Sequence, residues 1–418
     1  MRSAPWTPAD AERHLLALEL FGMRFGLDRM HRLMTALGRP QDSFDSIHVV
    51  GTNGKSSTVR MIDAILAAHG RRTGAYLSPH LVSFAERIRV GGEDIEPESF
   101  AQAVQRAAQA ASLVDRTAAP DDRVTQFEAL TAAAYSELAE QEVDVAVIEA
   151  GLGGRYDATN VLPSTVQVLT NVGLEHTQWL GPRIVDIARE KLAVVREGST
   201  LVVGGLDPEA QAEAEAAAEE HGARLVVAPA EPPEKVGALG TFQRRNFAVA
   251  RAAAEAYLGH LDRRAVAVAA AEVTVPGRLQ QINERPVTLL DGAHNPAGVS
   301  ALAESLLELG APERPLVAAI SILDDKDAAA MLAALLPHCA AAVFTSSSNP
   351  RALSPATLES LARQLDGAVR REWEPDPHRA LELARSLAGP DGIALGTGSI
   401  YLVADLLAPP GGRAASAL

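Results

Sequence analysis

The segment His48-Val-Val-Gly51-Thr52-Asn53-Gly54-Lys55-Ser56-Ser57 has the makings of a phosphate cradle. Gly51 and Gly54 let the backbone approach an anion closely, a helix opening at Ser56 aims free N–H groups at it, and Lys55 adds a positive charge. The first glycine of the common eight-residue phosphate loop would fall on Val49, so this loop is shorter and starts at Gly51. A second apolar run, Val143 to Glu149, leads into Ala150-Gly-Leu-Gly-Gly154. A carboxylate at the carboxyl end of a parallel strand, beside a phosphate loop, has Mg²⁺ as its natural partner, which makes Glu149 the first metal-ligand candidate. A third run, Thr165 to Thr170, ends in Asn-Val-Gly-Leu-Glu-His176, and the helical pattern after it, Ile184 to Val195, carries Lys191. Mg²⁺ prefers oxygen, so an imidazole is an unusual ligand for it; taken singly, His176 and Lys191 read as ordinary satisfied or solvated side chains. A fourth run, Val287 to Asp291, precedes Gly-Ala-His294-Asn295-Pro296. Asp291 is placed to reach a nucleotide ribose or a lysine across a cleft between domains, and His294 to touch substrate, while Asn295 is also a ready N-cap for the helix at Pro296.

These chemical groups all stand at ends of short Val/Ile/Leu runs separated by longer Ala-rich segments of helical period. Such alternation predicts an α/β chain with mostly parallel sheets covered by helices on both faces. Further strands are expected at Ser46 to Val50, Arg72 to Leu77, Thr200 to Val203 and Arg224 to Val227, and in a second series at Leu316 to Ile322, Ala341 to Thr345 and Ile393 to Leu395. Helices are expected at Ser56 to Ala68, Pro296 to Leu309 and Pro355 to Leu365, and a hairpin at Ile88 to Ile95 turning on Gly91 and Gly92. Glu272 to Pro286, with two prolines, a glycine and several charges, reads as the link between two sheets, dividing the chain into domains at 1–280 and 287–410. The Gly- and Ala-rich tail after Pro409 reads as a frayed end.

Composition narrows the class. The 418 residues are 47% hydrophobic and 22% charged, an ordinary globular balance, and the formal charge of −15 disfavours a nucleic-acid or anionic-membrane partner in the absence of a basic patch. The one cysteine, Cys339, has no intrachain partner, which fits a reducing compartment. The first residues interleave Asp, Glu and Pro where a signal peptide needs an apolar stretch, and no apolar run reaches the roughly 18 residues of a membrane span, so a cytoplasmic protein is expected.

Taken together, HVVGTNGKSS, YLSPHLVSFAERIRVGG, TQFEALTAAAY, IEAGLGGRYDATN, TNVGLEHTQWLG, IAREK, FQRRNFAVA, PGRLQ, DGAHNPAG, DDKD and NPRAL resemble, in order and approximate spacing, the folylpolyglutamate synthase/dihydrofolate synthase family of Mur-ligase relatives, from about Gly26 to Leu402. The resemblance implies an N-terminal ATPase domain with a mostly parallel sheet, a smaller C-terminal Rossmann-like domain, and an ATP-dependent ligase. Such an enzyme joins L-glutamate to a pteroate or folate carboxylate through an acyl phosphate. It further implies that Thr52 to Ser57 hold the ATP phosphates, with Lys55 on the β/γ oxygens. Ser78 and Glu149 would bind one Mg²⁺, and Glu149, His176 and a carbamylated Lys191 a second. Carbamylation turns a cation that Mg²⁺ would repel into an anionic oxygen ligand. By the same resemblance Asn246, Arg278 and Asp291 serve the nucleotide. Gly26, Leu27, Asp28 and Arg29, Thr125, Gln126 and Phe127, and Tyr156, Asp157 and Ala158 meet the pterin or folate. His294 and Ser399 meet glutamate. The implied partners are small molecules, with the family's usual monomer as the default.

Ser56 stands where folate enzymes commonly have glycine, and Tyr156 where leucine or phenylalanine is usual; both bear on the shape of the pocket. Two other readings compete. A cell-wall Mur ligase would need a further N-terminal domain, for which the roughly 50 residues before the phosphate loop are too few. A P-loop kinase or a nucleotide-binding protein without ligase activity would turn ATP over without regard to glutamate.

Overall fold

The computed structural model describes residues 4–18, 26–119, 122–310, 313–365 and 368–409, so the tail expected to fray lies outside them after Pro409. The chain divides into two compact units. The first takes Met1–His80, Phe84–Val236 and Arg245–Val273, and the second Leu81–Ser83, Gly237–Arg244 and Thr274–Leu418.

The first unit is built on a sheet whose described strands are β1 (Asp45–Val50), β2 (Thr73–Tyr76), β3 (Ile88–Val90), β4 (Glu93–Asp94), β5 (Val145–Glu149), β6 (Val166–Leu169), β7 (Thr200–Val203) and β8 (Arg224–Val227), in the order β4-β3-β2-β5-β1-β6-β7-β8. From β2 through β5, β1, β6 and β7 to β8 every described pairing is parallel, while β3 runs antiparallel to both β2 and β4. β1, β2, β5 and β6 are buried almost throughout, which is why their sequences are near-continuous apolar runs rather than alternating ones. The helix Lys55–Ala68 buries Val59, Ile62, Ile65 and Leu66 and packs on β2, β5 and the helix Arg263–Glu272. In register, Val49 lies beside Glu149 and Val50 beside Leu169, so the carboxyl ends of β5, β1 and β6 emerge side by side.

The second unit holds β9 (Gln280–Glu284), β10 (Val287–Leu290), β11 (Leu316–Ile320), β12 (Ala341–Phe344), β13 (Arg370–Trp373) and β14 (Ile393–Thr397), in the order β13-β12-β11-β14-β10-β9. One face buries Leu302, Leu306, Met331, Leu332 and Leu358, and the other Ala380, Ala384 and Ala388, so helices cover both sides. Cys339 is buried here as a small apolar group, and burial pushes its thiol up to about 12.

Two features differ from the sequence expectation. The segment read as a linker contains β9, which pairs antiparallel with β10, and the last change of unit, after Val273, falls at the start of that segment. β9 is polar and half-exposed because it is the sheet edge, which removed the apolar signal a central strand would carry. β13 lacked that signal for the same reason, being the opposite edge and carrying Arg370, Arg371 and Glu372.

Candidate nucleotide and metal site

The loop between β1 and the helix at Lys55 is shaped by two positive-φ glycines. At Gly51 (φ +153°) a Cβ would lie 1.9 Å from Thr170 Oγ1, and at Gly54 (φ +81°) 2.4 Å from Asn246 Oδ1. Only glycine fits either position, and the second lies against Asn246. Residues after β6 brace the loop: Thr170 Oγ1 donates to Asn53 O at 2.7 Å, Asn171 Oδ1 accepts from Asn53 N at 2.9 Å, and Gly173 N donates to Thr52 Oγ1 at 3.0 Å. Thr170 and Asn171 were not singled out as functional from sequence, although they stand at the strand end that flanks the loop.

Cations converge on the same turn. Lys55 Nζ donates to Gly51 O at 3.1 Å and to Thr52 O at 3.2 Å, and the buried Lys191 Nζ donates to Gly51 O at 2.8 Å. Burial first, then the neighbouring charge of Lys55, lowers the Lys191 amine to about 7. Glu149, also buried, projects from β5 into this space; its Oε1 accepts from Ser56 Oγ at 2.9 Å and its Oε2 from the backbone N–H of Ser78 at 3.1 Å. Ser57, by contrast, is buried in the helix's first turn.

The donor set suits a hard cation in part. A carboxylate and a serine hydroxyl on the edge of a phosphate loop are the oxygen ligands Mg²⁺ takes, with phosphate oxygens and water completing the shell. His176 sits in a left-handed turn (φ +52°) with its side chain 39% exposed, and its Nε2 is 3.8 Å from Glu175 Oε1. Among the described residues no three His, Cys, Asp or Glu side chains gather as a metal cluster. Lys191, expected with Glu149 and His176 around a second ion, has its amine on the Gly51 carbonyl.

The residues expected around the pterin fall into two groups. Phe127 is half-buried with its ring against Gly151, where a Cβ would come within 2.6 Å of Cζ, and Tyr156 is 44% exposed in the following loop. Gly26 and Leu27 are half-buried, Asp28 is exposed at the start of the helix Asp28–Ala36, and Ala158 is buried. The others serve the scaffold. Arg29 Nε lies 3.1 Å from Glu128 Oε1, both side chains being under a tenth exposed, and Glu128 closes a capping box with Thr125 at the head of the helix Gln126–Glu140. Gln126 Nε2 donates to Leu15 O at 2.8 Å. Asp157 is buried and accepts from the N–H of Leu152 and of Thr159, so its carboxylate holds the loop instead of facing a ligand; a sequence pattern does not distinguish the two uses.

In the second unit Asp291 is buried and its oxygens accept from Leu279 N (2.9 Å) and Ala293 N (2.8 Å). Burial raises its pKa despite Arg278 nearby, whose Nη1 donates to Gly277 O. The expectation that Asp291 reaches out to a ribose or a lysine gives way to a carboxylate spent on its own turn. Asn295 caps the helix Pro296–Glu308 through Gly298 N, His294 Nδ1 lies 2.9 Å from Gly292 O, and the Ser399 hydroxyl accepts from Tyr401 N at the head of the helix Ile400–Leu407. Among the described residues no helix is long and apolar enough to cross a membrane.

Comparison with known proteins covers most of the chain. Residues 49–250 match the Mur ligase middle domain, and residues 277–400 the Mur ligase, glutamate ligase domain. A dihydrofolate synthase/folylpolyglutamate synthase from Mycobacterium tuberculosis is 36% identical over 86% of this chain and 82% of its own length; that of Bacillus subtilis is 34% identical over 92% and 95%. Among solved structures, M. tuberculosis folylpolyglutamate synthase complexed with ADP superposes with a TM-score of 0.87 at 34% identity, covering 95% of this chain and 96% of that one. E. coli FolC in complex with DHPP and ADP gives 0.85 at 28%, covering 97% and 98%.

Proposed function

The chain belongs to the folylpolyglutamate synthase/dihydrofolate synthase family of Mur ligases, and from that we propose that it splits ATP to ADP and phosphate to join L-glutamate to the carboxylate of dihydropteroate, a folate, or both. It is an ATP-dependent ligase. A carboxylate resists attack by an amine until one oxygen becomes a good leaving group. The acceptor carboxylate attacks the γ-phosphorus and ADP leaves; the amine of glutamate then attacks the acyl carbon, phosphate leaves, and the ammonium proton passes to solvent.

The observation that carries this reading is the braced Gly51–Gly54 turn with Lys55 and Lys191 on its Gly51 carbonyl and Glu149 bonded to Ser56 just after it. Lys55 is free to exchange the Gly51 and Thr52 carbonyls for phosphate oxygens, which bind an ammonium more strongly. Asn246 closes the turn from the helix Thr241–Leu258, while Phe127 and Tyr156 offer aromatic surface to a pterin ring. Mg²⁺ would be held by Glu149 with Ser56 or Ser78, and a second ion by Glu149, His176 and carbamylated Lys191; bound there, the metal neutralises charge on the transferring phosphoryl group. An amine lowered to about 7 is neutral in a substantial fraction near neutral pH, and the neutral form is the one that takes up CO₂ with loss of a proton, which supports the carbamate. A carbamate carbon signal in ¹³C NMR of the native protein supplied with ¹³C-bicarbonate, lost in Lys191→Arg, is expected; no such signal overturns the carbamate.

The activity is tested by ADP release in a panel of dihydropteroate, tetrahydrofolate and a UDP-muramoyl peptide, each with ATP and labelled glutamate. Release that needs glutamate and a pterin acceptor is expected; release indifferent to glutamate overturns the reading.

A further inference from the structure

The loop from Gly151 to Val161 abuts Phe127 at Gly151 and carries the exposed Tyr156, yet the groups that set its path are buried. Asp157 Oδ2 accepts from Leu152 N at 2.8 Å, and Oδ1 accepts both the N–H and the hydroxyl of Thr159, at 3.0 and 2.5 Å. With its proton committed to the carboxylate, Thr159 Oγ1 is an acceptor for the next group, and His48 Nε2, on β1, lies 2.8 Å from it. His48 and Thr159 are fully buried, and burial together with the Arg196 charge keeps the imidazole neutral. Its single ring proton then sits on Nε2, in keeping with a buried Nδ1 that has no hydrogen-bond partner. Tyr135 Oη donates to Thr159 O at 3.0 Å and Arg196 Nη2 to Asn160 O at 2.8 Å, so the far end of the loop is tied as well. The near end has no slack: Gly151 abuts the Phe127 ring, and at Gly154 a Cβ would lie 2.6 Å from Lys191 O.

The phosphate loop is held by a different set of bonds, from Thr170, Asn171 and Gly173 on the β6 side. Two neighbouring loops thus have separate braces. We infer that the buried series His48, Thr159 and Asp157 is a positioning device for the acceptor: it fixes the path of the loop that abuts Phe127 at Gly151 and carries the exposed Tyr156, while leaving nucleotide binding to the other brace. The inference deepens the proposed ligase activity and rests on it for the identity of the acceptor.

Thr159→Val keeps the shape and removes both hydrogen bonds, whereas Thr159→Ser restores the hydroxyl. With dihydropteroate or tetrahydrofolate as acceptor, Thr159→Val is expected to raise the acceptor KM about tenfold or more, two buried hydrogen bonds being lost, with the KM for ATP within about twofold of wild type and Thr159→Ser close to wild type. In protein labelled with ¹⁵N-histidine, one exchange-protected Nε2 proton should be present in wild type and Thr159→Ser and absent from Thr159→Val. Unchanged acceptor KM, parallel rises in both KM values, or a serine variant as impaired as valine overturns the inference. If Thr159→Val does not fold, His48→Leu against His48→Gln, which keeps a donor, makes the same comparison. Failure of the wild-type enzyme to use either pterin would refute the acceptor reading, and the imidazole signal would still decide whether the relay exists.

Discussion

Replacing Gly51 with alanine tests the geometry of the phosphate loop through two separable costs. At φ +153° a side chain strains the backbone by ~1–3 kcal/mol. The new methyl would also sit 1.9 Å from Thr170 Oγ1, where real contacts do not come under 3.0 Å, so the threonine must swing away and give up its 2.7 Å bond to Asn53 O. That loss is worth ~1 kcal/mol, bringing the total to ~2–4 kcal/mol, or roughly 30- to 1,000-fold in nucleotide affinity. Calorimetric titration with a non-hydrolysable ATP analogue reads this directly. Thr170→Ala alone should weaken binding about fivefold. The double variant should bind like Gly51→Ala alone, because the threonine bond is already lost there, leaving the two changes non-additive by ~1 kcal/mol. Wild-type affinity in Gly51→Ala, or strictly additive costs, would refute the reasoning.

Glu149→Gln, which keeps the shape but not the charge, is expected to lower turnover by ~10²-fold and to raise the Mg²⁺ concentration for half-maximal rate, read by initial-rate titration. Arg29→Met strands the buried Glu128 carboxylate and should cost ~3–5 kcal/mol, while Arg29→Met with Glu128→Gln should recover much of it, measured by urea denaturation of the first unit's transition. His48 and His80 are neutral in the fold, with pKa values lowered by burial to about 3 and about 2, the latter beside Arg87. Below about pH 6.5 the unfolded chain takes up protons that the folded chain refuses, so stability falls with acid by ~1.4 kcal/mol per pH unit for each histidine down to its folded value. A denaturation series from pH 7 to 4.5 should show this slope, and His48→Gln should make it shallower.

The apolar runs at β1, β5, β6, β10 and β11 were legible because strands buried on both faces need unbroken Val, Ile and Leu, and each pointed to polar residues at its end. β9 and β13 were not legible, since edge strands owe their place to a neighbour and not to their own hydrophobicity. Lys55 and Asn246 lie at the glycine turn, and Glu149 meets Ser56 just after it. Arg29, Asp157, Asp291 and Ser399 are polar residues within motifs, yet the fold spends them on buried pairs, turns and caps. A motif records that a polar group is required there, and only the neighbours reveal whether it faces inward or outward.

The strand order β5-β1-β6 also governs when the site comes into being. β1 is made early, but both of its flanking strands arrive some hundred residues later, and Lys191 follows them. On the ribosome the glycine turn therefore emerges long before any of the groups that steady it, so a nascent chain stopped short of Thr170 should be blind to nucleotide even with every residue of the turn already synthesised. Premature termination anywhere in that stretch yields a polypeptide that sequesters no ATP.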